Sequence, residues 1–160
     1  MSWIRLSKTV TVLAAATTVL AATSLLAPVA SAAGKPWGTL YAVDRGNKAA
    51  AAYGDFANNG GVYATVGANW ADMLNDGNAV YVQASFSFWE KSTSSGQWEW
   101  VPDPSSHQTA RSSRFKYVNG SLSARLHAGA TQARADIKVC EDINLTTDIC
   151  SPHAIVSFSY

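Results

Sequence analysis

Charge is the scarcest ingredient of this 160-residue chain: Asp, Glu, Lys and Arg together supply 14% of it, against roughly a quarter in an ordinary soluble domain. No basic run is dense enough to follow a phosphate backbone or to lie on an anionic bilayer, which disfavours nucleic acid and the membrane surface as partners. Cysteine is limited to Cys140 and Cys150. Two thiols do not make a structural zinc site, and His107, His127 and His153 lack the ligand spacing to complete one. Catalytic signatures are missing too. There is no Gly-x-Ser-x-Gly elbow, no His-Glu-x-x-His and no phosphate-cradling glycine loop, so the sequence assigns no catalytic residue, metal or cofactor.

The one long apolar run sits at the start. Met1 to Lys8 carries Arg5 and Lys8, Thr9 to Val29 is apolar, and Ala30-Ser31-Ala32 offers a small-residue cleavage site. That pattern predicts a secretory signal peptide over 1–32. The interrupting Thr and Ser residues, Pro28 and the polar exit argue against a membrane anchor, and Ser151 to Tyr160 holds no apolar tail. A released, extracellular chain with no membrane span follows, folding under oxidising conditions. Cys140 and Cys150 then form one disulfide around an 11-residue loop, worth about 2.5–3 kcal/mol in chain entropy. Residues 33–160 are the size of one domain. Loss of Arg5 and Lys8 leaves them a formal charge of −1.

Alternation sets the fold class. Gly61 to Trp70 places Val62, Ala64, Val66, Ala68 and Trp70 on one face, and Gln132 to Cys140 places Ala133, Ala135, Ile137 and Val139 inward against Arg134, Asp136 and Lys138. Val80 to Val101 reads as a hairpin bent at Ser92–Gly96. Pairing Lys91 with Gln97 sends Val80, Val82, Ala84, Phe86, Phe88, Trp98 and Trp100 inward and leaves Tyr81 and Trp89 outside. Asn119-Gly120 predicts a two-residue turn joining Ser112–Val118 to Ser121–His127, with Phe115, Tyr117, Leu122 and Leu126 facing the core. Pro102-Asp103-Pro104 is expected to end the strand carrying Trp100. Trp37 to Val43 and His153 to Tyr160 complete the set. Asn47 to Asn58 is assigned to a strand, a short helix over its alanines being the alternative. About eight such strands imply an all-β, antiparallel β-sandwich, immunoglobulin-like or jelly-roll-like, with a closed barrel as the other solution.

Trp89, with Tyr81 and Val101 beside it, is the candidate ligand-binding group, because an outward indole among polar residues can stack on a sugar or anchor a protein. Glu90 and Glu99 invite comparison with a glycosidase carboxylate pair, but the pairing above puts them on opposite faces. Glu141, Asp142, Asn144 and Asp148 in the disulfide loop, and Asn75-Asp76-Gly77-Asn78, fit no calcium-loop template and read as solvated turns. The expected function is therefore a secreted, non-enzymatic binding or surface-interaction domain, its partner a polysaccharide or an extracellular protein. The alternatives are a carbohydrate-binding module using Trp89 and Tyr81, and a secreted hydrolase or hydrolase inhibitor.

The chain also resembles the small secreted β-sandwich proteins of uncharacterised function found in actinobacteria. The likeness lies in the Ala-rich leader, Asp76-Gly77-Asn78-Ala79-Val80-Tyr81-Val82, and Lys138-Val139-Cys140 followed by Asp148-Ile149-Cys150-Ser151. It implies bacterial export and a single clasped sandwich, and supplies no catalytic residue.

Overall fold

The computed structural model describes residues 34–160, and the leader expected at 1–32 lies outside the described residues. These residues form nine strands and no helix: β1 Lys35–Asp44, β2 Asn47–Asn59, β3 Tyr63–Asp72, β4 Ala79–Lys91, β5 Trp98–Gln108, β6 Val118–Arg125, β7 Gln132–Asp142, β8 Ile149–Cys150 and β9 Ala154–Ser159. They pair antiparallel in two sheets, ordered β1-β2-β3-β6 and β5-β4-β7-β8, with β9 also on β7. The architecture is the β-sandwich that alternation implies, rather than a closed barrel.

Its core is the inward half of each period-two run. Val80, Val82, Ala84, Phe86 and Phe88 of β4 and Ala133, Ala135, Ile137 and Val139 of β7 are at most 1% exposed, facing Phe56, Val66, Trp70 and Leu122 of the other sheet. Phe56 bridges the layers, its ring 6.2 Å from Phe86 and 4.7 Å from Phe158. Each buried aromatic of this kind contributes about 1.5–3 kcal/mol. Ala49–Ala52 is strand, not helix: β1 and β3 take its backbone hydrogen bonds on both sides, outweighing a helix preference of a few tenths of a kcal/mol per residue.

Several sequence expectations are corrected. Asn119-Gly120 is not a turn but the interior of β6, paired with Asn69 and Ala68 of β3. The glycine is there for packing, since a Cβ on it would stand 3.1 Å from the Trp70 ring. The same device recurs where Trp37 packs over Gly54 and donates from Nε1 to the Gly67 carbonyl at 3.2 Å. Residues 112–117, freed from the supposed hairpin, instead cross between sheets. Ser112 pairs with Val80, and the Arg114 carbonyl accepts from the Asp72 N–H at 3.0 Å. Phe115 and Tyr117 therefore lie outside, 58% and 46% exposed, with Tyr117 edge-on to Tyr53. Val62 likewise sits exposed in the β2–β3 turn.

The β4–β5 hairpin exists one residue out of the expected register. Lys91 stands opposite Trp98, Trp89 opposite Trp100 and Glu90 opposite Glu99. The loop closes by a Ser92 N–H to Gln97 carbonyl bond at 2.8 Å, with Gly96 at φ 69° accommodating the bend. A slip of one reverses every side chain on the strand, so Trp98 and Trp100 leave the core for the outer face. Nor does β5 stop at Pro102. It runs to Gln108 through a register shift between Ser85 and Ser87, which is possible because β5 is a sheet edge and the missing N–H groups leave no ladder bond unmade.

Candidate functional site

The outer face of the five-stranded sheet carries the polar half of the alternation, and the shifted register builds an aromatic corner on it. Trp89 and Trp100 are cross-strand partners with ring centres 5.5 Å apart and planes at 59°. Both are half-buried, whereas Trp98, diagonal to Trp89 on the same face, is 49% exposed. Across Ser87 comes Arg134 of β7. Its Nε donates to Ser87 Oγ at 3.0 Å, and its guanidinium carbon lies 4.4 Å from the Trp100 ring centre. Gln132, the cross-strand partner of Trp89, and Ser159 beyond it continue the polar surface.

Tyr81, the other candidate, is not part of this corner. It lies eight positions back along β4, about 27 Å at strand rise, and is 3% exposed. Its hydroxyl donates to Asp148 at 2.5 Å, and Arg111 covers its ring with the guanidinium carbon 4.8 Å from the centre. Burial, then the bond to Asp148, pushes the phenol up to about 12. Tyr81 is thus a structural residue. The Cys140–Cys150 disulfide is formed next to it, Cys140 being its cross-strand partner. Val101 pairs with Phe88 and is half-buried.

The acidic turns are also more tied down than expected. Asp142 pairs with Arg111, and Asp148 holds Tyr81 and the Ile143 N–H. Glu141 is 1% exposed: Asn78 donates to its Oε1 at 3.0 Å, and its Oε2 has no partner. Burial raises its pKa, while Asp76 beside it is lowered, chiefly by the Asn78 backbone N–H. Among the described residues no group of three His, Cys, Asp or Glu is arranged to hold a metal ion, and no helix is long and apolar enough to cross a membrane.

Two histidines carry carboxylate partners. His127 stacks on Phe88 at 4.0 Å with Nδ1 3.1 Å from Glu90 Oε1, lining an open cleft of about 690 Å³ with Arg125 and Tyr160. His153 Nδ1 lies 2.5 Å from Asp136 Oδ1 beside Gln83, Ser85 and Lys138. Glu90 and Glu99 are not on opposite faces, as the expected pairing had them, but cross-strand partners. Their carboxylates nevertheless go separate ways, Glu90 to His127 and Glu99 to the Ser95 hydroxyl. Among the described residues no Ser, Thr or Tyr hydroxyl hydrogen-bonds to either imidazole, so the nucleophile–base contact of a hydrolase is not assembled. The aromatic corner, in contrast, can stack against a flat apolar surface and offer amide, hydroxyl and guanidinium donors around it.

Sequence reasoning finds Trp89 on its own and misses its companions. Trp98 and Trp100 are hidden by the one-residue slip, and Arg134 by the fact that its neighbours belong to other strands. No protein-family model matches the chain, and neither a curated protein nor a solved structure matches it.

Proposed function

We propose that this protein is a secreted, non-enzymatic binding module that takes a glycan on the outer face of its five-stranded sheet. The observation carrying this reading is the Trp89–Trp98–Trp100 corner, three indoles turned away from the core on a face otherwise lined by polar side chains. Indoles held at a surface stack well on the C–H faces of sugar rings, and side-chain amides and hydroxyls beside them meet the equatorial hydroxyls. The leader and the disulfide support an address outside the cell, where polysaccharide is the available ligand. The sugar lies against Trp89 and Trp98, with Trp100 backing the corner.

Affinity electrophoresis and tryptophan fluorescence against a panel of soluble polysaccharides test the proposal. At least one polymer retards the protein and shifts its emission, and Trp89→Ala and Trp98→Ala each weaken that binding roughly tenfold or more. Failure of every polymer to retard the wild type, or full binding by both variants, overturns it.

A further inference from the structure

We infer that the glycan is an acidic one, whose sugar rings bear a carboxylate or sulfate gripped by Arg134 while the indoles take the ring. This rests on the glycan reading above and names its substrate class. Arg134 is a cation held in place but left unneutralised. Ser87 Oγ takes its Nε at 3.0 Å and Trp100 lies 4.4 Å beneath it. These two contacts fix the guanidinium plane and use one of its five N–H donors. Among the described residues its terminal nitrogens make no side-chain hydrogen bond and no ion pair.

Every carboxylate in the neighbourhood is engaged elsewhere. Asp136, two positions along β7, lies 2.5 Å from His153. Asp103 accepts from the Ser105 N–H at 2.7 Å, Glu99 from Ser95 at 3.0 Å, and Glu90 meets His127 at 3.1 Å. The outward positions next to Arg134 are Ser87, Gln132, Ser157 and Asp136, and the single acid among them is the one paired with His153.

A half-buried guanidinium with a fixed plane and free edges is built for a planar or tetrahedral oxyanion, which it meets with two parallel N–H bonds. A neutral sugar on the same face would leave the cation partly desolvated with only hydroxyls opposite. A uronic acid or sulfated sugar neutralises it. Lys91 adds a second positive charge at the corner, opposite Trp98.

The test pairs each acidic polymer with its neutral counterpart: a soluble polyuronate with its carboxyl-reduced form, and a sulfated polysaccharide with its desulfated form. Wild-type affinity is measured at low and at moderate salt. The acidic member of at least one pair binds roughly tenfold or more tightly, and the advantage shrinks with salt. Whichever pair shows it names the oxyanion. Arg134→Gln abolishes the preference, and unchanged near-ultraviolet circular dichroism shows that its fold is intact. Equal affinity within both pairs, or a preference that persists in Arg134→Gln, overturns the acidic assignment and leaves the glycan reading standing. Absence of binding to all four polymers overturns the acidic assignment, and absence of binding across the whole panel above overturns both.

Discussion

Tyr81 and Trp89 are both aromatic and both point outward from β4, and the chain around them treats them in opposite ways. Over Tyr81 lie Arg111, just before the crossing segment, and the disulfide loop that carries Asp148, so an outward residue is 3% exposed and hydrogen-bonded at its tip. Trp89 is only half-buried, and the neighbouring strand adds two more indoles to the same surface. The contrast shows that the outer face of a sheet is a site only where no later stretch of chain returns to cover it. One end of β4 is tied into the fold and the other keeps its aromatic surface partly open.

Breaking the anchored end should cost stability and spare binding. The largest effect is expected from Cys140→Ser with Cys150→Ser, which releases the 11-residue loop from its clasp and lowers unfolding free energy by about 2.5–3 kcal/mol. Urea denaturation measures it, while the affinity for glycan stays as in the wild type. Next comes Tyr81→Phe, which strands Asp148 without its phenol donor and costs about 1 kcal/mol near neutral pH. Because the Tyr81 pKa is raised in the folded protein to about 12 from an ordinary 10.0, the native state keeps a proton that the unfolded chain gives up. Wild-type stability therefore falls as pH climbs from 10 through 12, and this part of the decline disappears in Tyr81→Phe.

The smallest effect is an increase. Glu141 is held protonated by burial above its ordinary 4.5, so wild-type stability falls as pH rises above that value. Glu141→Gln keeps the Asn78 contact without the buried charge. Its Tm should exceed that of the wild type by roughly 2–6 °C near pH 8, the gap closing towards pH 4.5. Asp76, lowered instead, contributes stability that is lost on acidification below its ordinary 3.8, and calorimetry across this range separates the two. A tighter or looser glycan complex in Tyr81→Phe would erase the distinction between the two ends.

Period-two patterning made most of the sandwich legible, because the inward residues of β3, β4 and β7 have no alternative way to leave water. What it left hidden are places where the partner strand decides. Asn119-Gly120 carries the local signature of a turn, yet the ring of Trp70 needs a glycine beneath it, and nothing within β6 announces that need. Trp98 and Trp100 hinge on whether Lys91 faces Gln97 or Trp98, a choice made by the backbone bonds of Ser92 and Gly96. The same holds for the site. Alternation alone puts Trp89 outside, whereas the unneutralised state of Arg134 depends on Asp136, Asp103, Glu99 and Glu90 each having found another donor.

The edge strand beside the aromatic corner governs how one copy of the molecule meets another. Its two prolines and its offset from β4 between Ser85 and Ser87 interrupt the row of free amide hydrogens with which a second molecule could zip on and extend the sheet. Self-association along that border is thereby discouraged. The sticky indoles can then stay bare at high local concentration without the strand beside them seeding fibres.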